Sequence, residues 1–147
     1  MNSTSSHSSL VARRGELMAE LFLQGMEPQF LSRPTSPEVG YDLLVGFANE
    51  RGGINTFAVE VKATERMPGK RFPLARAVFE RFASSNIPGL LLVVDAKENR
   101  IHYAWLTPNL SMGGATVSVP LVEINNSTER ELRKQFASAN AGIASVK

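Results

Sequence analysis

Two stretches of alternating apolar and polar residues, joined by a glycine turn, constrain the fold of this chain more than any other feature. Apolar residues occupy every second position in Tyr41–Phe47, and the same alternation recurs in Asn55–Ala63. A period of two is typical of a β-strand with one buried face. The intervening sequence contains Arg51-Gly52-Gly53, which favours a tight turn. The sequence therefore predicts a β-hairpin.

The hairpin brings three charged side chains, Asp42, Glu60 and Lys62, to one face of the predicted sheet. If Phe47 pairs with Asn55, Asp42 lies opposite Glu60, whereas a slip of two residues places it opposite Lys62. In either register the three side chains share a face, because side chains alternate along a strand. Opposed Cβ atoms lie about 4.5–5.5 Å apart, which lets two carboxylates bind one Mg²⁺. Charges on an apolar face are costly unless they pair or bind an ion.

The composition excludes several other kinds of site. The 147-residue chain has no cysteine, which excludes a disulfide framework, a thiolate zinc site and a cysteine nucleophile. Its two histidines, His7 and His102, are far apart in the sequence, so neither a histidine-rich metal site nor a Ser-His-Asp triad is expected. The net charge of +2 and the pI of 9.2 permit binding to nucleic acid without requiring it.

Length and patterning predict one domain. Residues 1–9 are polar and serine-rich, which is typical of a flexible tail, and residues 10–140 are expected to form the domain. No apolar run approaches the roughly 18 residues that a membrane helix needs. The N-terminus also lacks the layout of a signal peptide. We therefore expect a soluble, cytoplasmic protein that does not contact a membrane.

Periodicity elsewhere predicts three helices and the remaining strands. Apolar residues repeat at helical spacing from Leu10 onward, and Gly25 is placed to end that helix. Pro73 suits the first turn of a second helix that continues through about Ser85. The other predicted elements are extended segments at Gln29–Ser32, Leu90–Val94, Ile101–Trp105 and Thr116–Val122, and a helix opened by a capping box of Thr128 with Glu131.

The order of these elements resembles the PD-(D/E)XK nuclease superfamily. The residues that carry the resemblance are Gly40-Tyr41-Asp42 and Glu60-Val61-Lys62 on successive strands, Gly15-Glu16 on the preceding helix, and the buried strand Pro88–Asp95. The chain is most similar to small domains related to Holliday junction resolvase-like nucleases, although Tyr41 replaces the proline of the family motif. The resemblance implies an α/β fold: a restriction-endonuclease-like αβββαβ core with a central mixed sheet flanked by helices, plus a C-terminal strand and helix.

The resemblance also implies an activity, that of a metal-dependent endodeoxyribonuclease acting in repair, recombination or defence against foreign DNA. Asp42 and Glu60, with the Val61 carbonyl, would bind Mg²⁺ or Mn²⁺, and Lys62 would orient or deprotonate the attacking water. The first helix carries Glu16 and Glu20 one turn apart. One of these two glutamates would order a water or a second cation.

Basic residues that follow the second strand of the hairpin are candidates for DNA binding. The resemblance assigns substrate phosphates to Lys70 and Arg71, in a Pro/Gly-containing loop, and to Arg76 on the predicted helix. Such binding should weaken with salt. Together with Arg81, these residues could form a phosphate-binding patch beside the metal, or they could form only a solvated basic face. A homodimer would supply two active sites and a wider surface for duplex DNA.

The candidate site residues also have structural interpretations. Asp42 would then bond loop backbone at a strand edge, and Glu60 and Lys62 would form a surface ion pair worth under about 1 kcal/mol. His102 is expected to be a strand residue rather than a ligand, and Gly113-Gly114 a hairpin turn. The competing function is a catalytically silent subunit that binds DNA or assembles with a partner. A ribonuclease ranks lower, since the sequence has no RNA-binding signature.

Overall fold

The computed structural model describes residues 3–36, 40–108 and 112–138 of the chain. Within these ranges it is a mixed α/β fold with three helices and two sheets. No helix there is long and apolar enough to cross a bilayer. The elements are α1 (Ser3–Gln24), β1 (Phe30–Ser32), β2 (Leu43–Ala48), β3 (Ile54–Thr64), β4 (Arg71–Ala75), α2 (Arg76–Ala83), β5 (Gly89–Asp95), β6 (Arg100–Leu106), β7 (Met112–Gly113), β8 (Thr116–Pro120), β9 (Val122–Glu123) and α3 (Asn126–Ala137).

The larger sheet has six strands in the order β1-β2-β3-β5-β6-β9. Strands β3 and β5 run parallel, and every other neighbouring pair is antiparallel. A parallel pair needs a crossover connection, and here β4 and α2 provide it. Strand β3, which carries Glu60 and Lys62, therefore lies inside the sheet between β2 and β5.

Both faces of the larger sheet are covered. Helices α1 and α3 pack on one face, where the rings of Phe57 and Phe136 lie 5.0 Å apart. Helix α2 and the smaller sheet, ordered β4-β8-β7, pack on the other face around Leu91 and Val93. All seven residues of β5 are buried, which explains the continuous apolar run predicted there. Ala58 belongs to the α2 side, so the alternation of side chains also directs Glu60 and Lys62 to that side.

The hairpin predicted from alternation is confirmed, and so is its first proposed register. Phe47 pairs with Asn55 and Leu43 with Val59. The turn is stabilised by Asn49, whose Oδ1 accepts from the N–H of Arg51 and of Gly53 at 2.9 and 2.8 Å. The end of α1 at Gln24, the short β1, the buried β5 and strand β6 also agree with the sequence-based predictions.

The segment after the hairpin corrects one prediction. Pro73 lies in strand β4 and not in the first turn of a helix, and α2 begins only at Arg76. Pro73 pairs with Ser118 of β8. Strand β4 is at the edge of the smaller sheet, the position where a strand tolerates proline. Pairing with a distant strand therefore overrides a local signal for a helix start.

Two predictions near the C-terminus are also corrected. The segment Thr116–Val122 is not one strand, because β8 ends at Pro120 in the smaller sheet while β9 pairs with β6 in the larger one. The capping box of α3 joins Asn125 to Thr128, not Thr128 to Glu131. The Asn125 side chain accepts from the Thr128 N–H at 3.0 Å, and the Thr128 hydroxyl accepts from the Asn125 N–H at 2.8 Å.

The N-terminal segment also differs from expectation. Residues 3–9 lie in the first turns of α1, where the serine-rich sequence suggested a tail. His7 Nε2 lies 2.5 Å from Glu65 Oε1, just beyond the end of β3. This contact joins residues that are distant in sequence, so it could not be inferred from local composition. The predicted domain boundary at residue 140 lies outside the described residues.

Gly15 sets how closely α1 approaches β3. A Cβ atom built on Gly15 would lie 2.6 Å from the Cβ of Ala63, a distance well inside van der Waals contact. The glycine therefore lets α1 rest directly on the end of β3. As a result Glu16, the next residue, lies beside the strand that carries Glu60 and Lys62.

We expect Gly15→Ala to lower the free energy of unfolding by about 1–3 kcal/mol, because the added methyl group meets Ala63. The loss should appear although alanine ordinarily stabilises a helix by about 1 kcal/mol relative to glycine. The double variant Gly15→Ala/Ala63→Gly should recover most of it, since the second change vacates the same space. Urea denaturation of the four proteins measures this cycle. A Gly15→Ala protein as stable as the wild type would contradict the close approach.

Candidate functional site

The register of β2 and β3 brings Asp42 to Glu60. Their ladder is regular as far as Leu43 and Val59, and Asp42, the next residue, places its carboxyl group in contact with that of Glu60. Asp42 is half-buried and Glu60 is only 6% exposed. The structure therefore brings together the two carboxyl groups that the sequence placed on one face.

Backbone contacts fix the orientation of Asp42 where β2 begins. The Asp42 N–H donates to the Val59 carbonyl at 2.9 Å, and Asp42 Oδ2 accepts from the Val61 N–H at 2.7 Å. The carboxylate thus binds a β3 amide just beyond the regular ladder. The structural interpretation had Asp42 bonding loop backbone; here it bonds the backbone of strand β3, and its carboxyl group also contacts Glu60.

Glu60 holds its proton unusually tightly. Burial, together with the hydrogen bond and negative charge of Asp42, raises the pKa of Glu60 to about 7 against the opposing effect of Lys62. Lys62 Nζ lies 3.4 Å from Glu60 Oε2. Two carboxyl groups held together in poor solvent contact gain from a bound cation, which removes their repulsion and displaces the proton.

These side chains line an open cleft of about 740 Å³. Helix α1 contributes Glu16 to its wall, the loop after β1 contributes Arg33, and α2 contributes Arg81. Glu20 is not in the wall, and it forms an ion pair with Arg33. Of the two glutamates that the sequence left open, the structure therefore places Glu16 at the cleft.

The donor set of the cleft fits a small divalent cation. Asp42 and Glu60 offer carboxylate oxygens. The Val61 carbonyl is directed to the same edge of β3 as the Val61 N–H that Asp42 binds, because both groups of a strand residue point to one side. Among the described residues no three His, Cys, Asp or Glu side chains gather as a metal site. Two carboxylates and a carbonyl suit Mg²⁺, which retains several of its waters.

The basic residues predicted to bind DNA lie outside the cleft. Arg71 donates to the Oγ and carbonyl oxygen of Ser118 at 2.7 and 2.9 Å, and Arg76 donates to Glu80 at 2.9 Å. Lys70 is exposed and does not line the cleft. Their role in binding DNA stays a prediction.

Of the two arginines in the cleft, Arg33 was missing from the predicted site, and Arg81 was considered only as a member of a basic patch and not as a site residue. Arg33 comes from a loop that no strand or helix pattern places near β3. Arg81 was grouped with the basic face of α2, and only the packing of α2 beside the hairpin separates it from Arg76. His102 is buried in β6, outside the cleft, in agreement with its interpretation as a strand residue.

No family model matches the chain, and no curated protein is significantly similar to it. The mixed α/β fold and the side chains of the cleft are therefore the observations that bear on function. Neither observation depends on similarity to another protein.

Proposed function

We propose that the protein is a metal-dependent nuclease that hydrolyses phosphodiester bonds in DNA. The observation that carries the proposal is the meeting of the Asp42 and Glu60 carboxyl groups in an open cleft, with Lys62 Nζ 3.4 Å from Glu60. Burial of Glu60 without a bound ion costs free energy, since its charged form is poorly solvated. A cation bound to the two carboxyl groups would offset this cost.

Asp42, Glu60 and the Val61 carbonyl would hold Mg²⁺ or Mn²⁺. When bound, such an ion stabilises negative charge on a phosphate and makes a bound water more acidic. The Asp42 carboxylate is kept in place by the Val61 N–H, so little reorganisation is needed for binding. Glu60 would lose its proton on binding.

Lys62 and Glu16 would position the attacking water. The Lys62 side chain is 40% exposed and its ammonium lies beside Glu60, so this side chain contacts both the carboxyl pair and the solvent from which a water enters. There it orients that water and stabilises charge on the phosphate. Glu16 lines the same cleft from α1 and can accept a hydrogen bond from a water.

The element order supports a restriction-endonuclease-like core. Helix α1 precedes an antiparallel run of β1, β2 and β3, and α2 leads into β5, which is parallel to β3. Strand β4 is inserted between β3 and α2, and β9 with α3 completes the C-terminal part. Asp42 lies just before β2, and Glu60 and Lys62 lie in the second half of β3. The three residues are therefore at the end of the hairpin opposite its turn.

Incubation of the purified protein with supercoiled plasmid tests the proposal directly. We expect nicked or linear DNA with Mg²⁺ or Mn²⁺ and intact plasmid with EDTA, because the carboxyl pair cannot polarise a phosphate without a cation. Asp42→Asn protein purified in parallel controls for contaminating nucleases. A wild type that is inert on duplex, single-stranded and branched DNA with both metals would contradict the proposal and favour a catalytically silent subunit.

A further inference from the structure

Arg81 lies in the last turn of α2 and lines the cleft beside Gly40 and Asp42. Gly40 has a φ of +91°, and a Cβ there would lie 3.3 Å from Arg81 Cδ and 3.4 Å from Arg81 Nη1. The side chain of Arg81 therefore lies across the backbone just before Asp42. Only a glycine leaves that space free without strain, so the guanidinium can lie against the backbone two residues before Asp42.

The other cations near the cleft already have partners. Arg33 is paired with Glu20, and Lys62 lies against Glu60. Arg81 has no carboxylate partner among the described residues. Arg81 is an exposed residue, so its guanidinium can meet an anion from solution.

With Glu60 ionised, as binding of a cation requires, the acidic and basic side chains of the described wall are equal in number. The acidic residues of the wall are Glu16, Asp42 and Glu60, and the basic ones are Arg33, Lys62 and Arg81. A divalent cation on the carboxyl pair would leave an excess of positive charge around it. Such a surface attracts phosphates, and a guanidinium can grip two phosphate oxygens at once.

We propose that Arg81 binds a backbone phosphate of the DNA strand beside the carboxyl pair, and that Gly40 keeps the space in which it does so. The inference rests on the proposed function. It assigns to Arg81 a phosphate contact that the sequence analysis assigned to Lys70, Arg71 and Arg76. Arg81 thus aligns the strand, while Asp42, Glu60 and Lys62 act at the scissile bond.

Fluorescence anisotropy of a labelled DNA duplex, with Ca²⁺ in place of Mg²⁺ and at several salt concentrations, tests this contact. Arg81→Ala should weaken binding about tenfold and lower the slope of log affinity against log salt by about one unit, because one phosphate contact is lost. Arg81→Lys should keep the slope but bind less tightly, since it loses the planar fork. Arg130→Ala, which removes an exposed arginine from α3 on the opposite face, is the matched control and should resemble the wild type.

A cycle with Gly40→Ala separates the positioning role of the glycine from a loss of fold. Gly40→Ala should weaken DNA binding in the wild type, because it displaces Arg81, but hardly at all in the Arg81→Ala background. Equal weakening in both backgrounds would show that Gly40 acts by another route. Thermal unfolding of each variant confirms that the compared proteins are folded.

The outcomes distinguish this inference from the proposed function. Arg81→Ala with the affinity and slope of Arg130→Ala would overturn it, and a slope lost only in the triple Lys70→Ala/Arg71→Ala/Arg76→Ala variant would move phosphate binding to that face. A wild type that binds through Arg81 without cleaving plasmid would overturn the nuclease alone. If the wild type cleaves plasmid while Arg81→Ala binds DNA like the control variant, the role of Arg81 is overturned and the nuclease proposal stands. A wild type that binds no DNA overturns both proposals.

Discussion

Asp42→Asn and Glu60→Gln should each lower the rate of DNA cleavage by at least about 1,000-fold, a loss of about 4 kcal/mol of transition-state stabilisation. Each change removes one of the two carboxylates that would hold the cation. The amide oxygen of an asparagine can still accept from the Val61 N–H that Asp42 binds at 2.7 Å, so the local fold should survive. Lys62→Met should cause a comparable loss without removing a metal ligand.

Single-turnover cleavage of a labelled duplex with saturating Mg²⁺ measures these rates. Calorimetric titration with Mn²⁺ separates the causes, because binding should be lost in the carboxylate variants and retained in Lys62→Met. Glu98→Gln, which removes an exposed carboxylate in the turn between β5 and β6, is the matched control and should cleave like the wild type. Full activity in Asp42→Asn or Glu60→Gln would exclude the carboxyl pair as the reacting centre.

The stability of the metal-free wild type should fall between about pH 4.5 and 7 by an amount that depends on Glu60. Burial and Asp42 raise the pKa of Glu60 from 4.5 to about 7 in the folded protein, so the folded state binds this proton more tightly than the unfolded chain. The associated stability is complete below pH 4.5 and is lost as the pH rises through 7. The shift corresponds to at most about 3 kcal/mol.

Urea denaturation across this pH range, in the presence of EDTA, compares the wild type with Glu60→Gln. The variant cannot lose a proton there, so it should be less pH-sensitive and more stable than the wild type above pH 7. Added Mg²⁺ should stabilise the wild type at pH 8 and leave the variant unaffected, since a bound ligand stabilises only the state that binds it. Parallel pH curves for the two proteins would show that Glu60 titrates normally.

The hairpin and its charged face could be predicted from sequence because their signals are local. Alternation identifies β2 and β3, and the glycine turn limits the register to a few choices. Among these, Phe47↔Asn55 is the one that the structure contains. The approach of the Asp42 side chain to Glu60 follows from that single pairing, so the central part of the candidate site could be predicted from the sequence.

Features that depend on distant contacts were not accessible in the same way. Pro73 is followed by an apolar face at helical spacing, which predicts the start of a helix. The pairing of β4 with β8 overrides this signal, and β8 is distant in the sequence. Glu16 and Glu20 are equivalent by periodicity, and the ion pair of Glu20 with Arg33 separates them. Arg81 enters the cleft only because α2 packs beside Gly40.

The pairing of β4 with β8 also has a consequence for the order in which the chain is made. Residues up to Lys62 emerge from a ribosome before β4, and they include every charged residue of the described cleft wall except Arg81. Strand β4 must then wait for Thr116, the partner of Ala75, while Leu74 has no complete core in which to be buried. A nascent chain therefore exposes an unpaired strand edge, a feature prone to association, until Thr116–Pro120 have been synthesised.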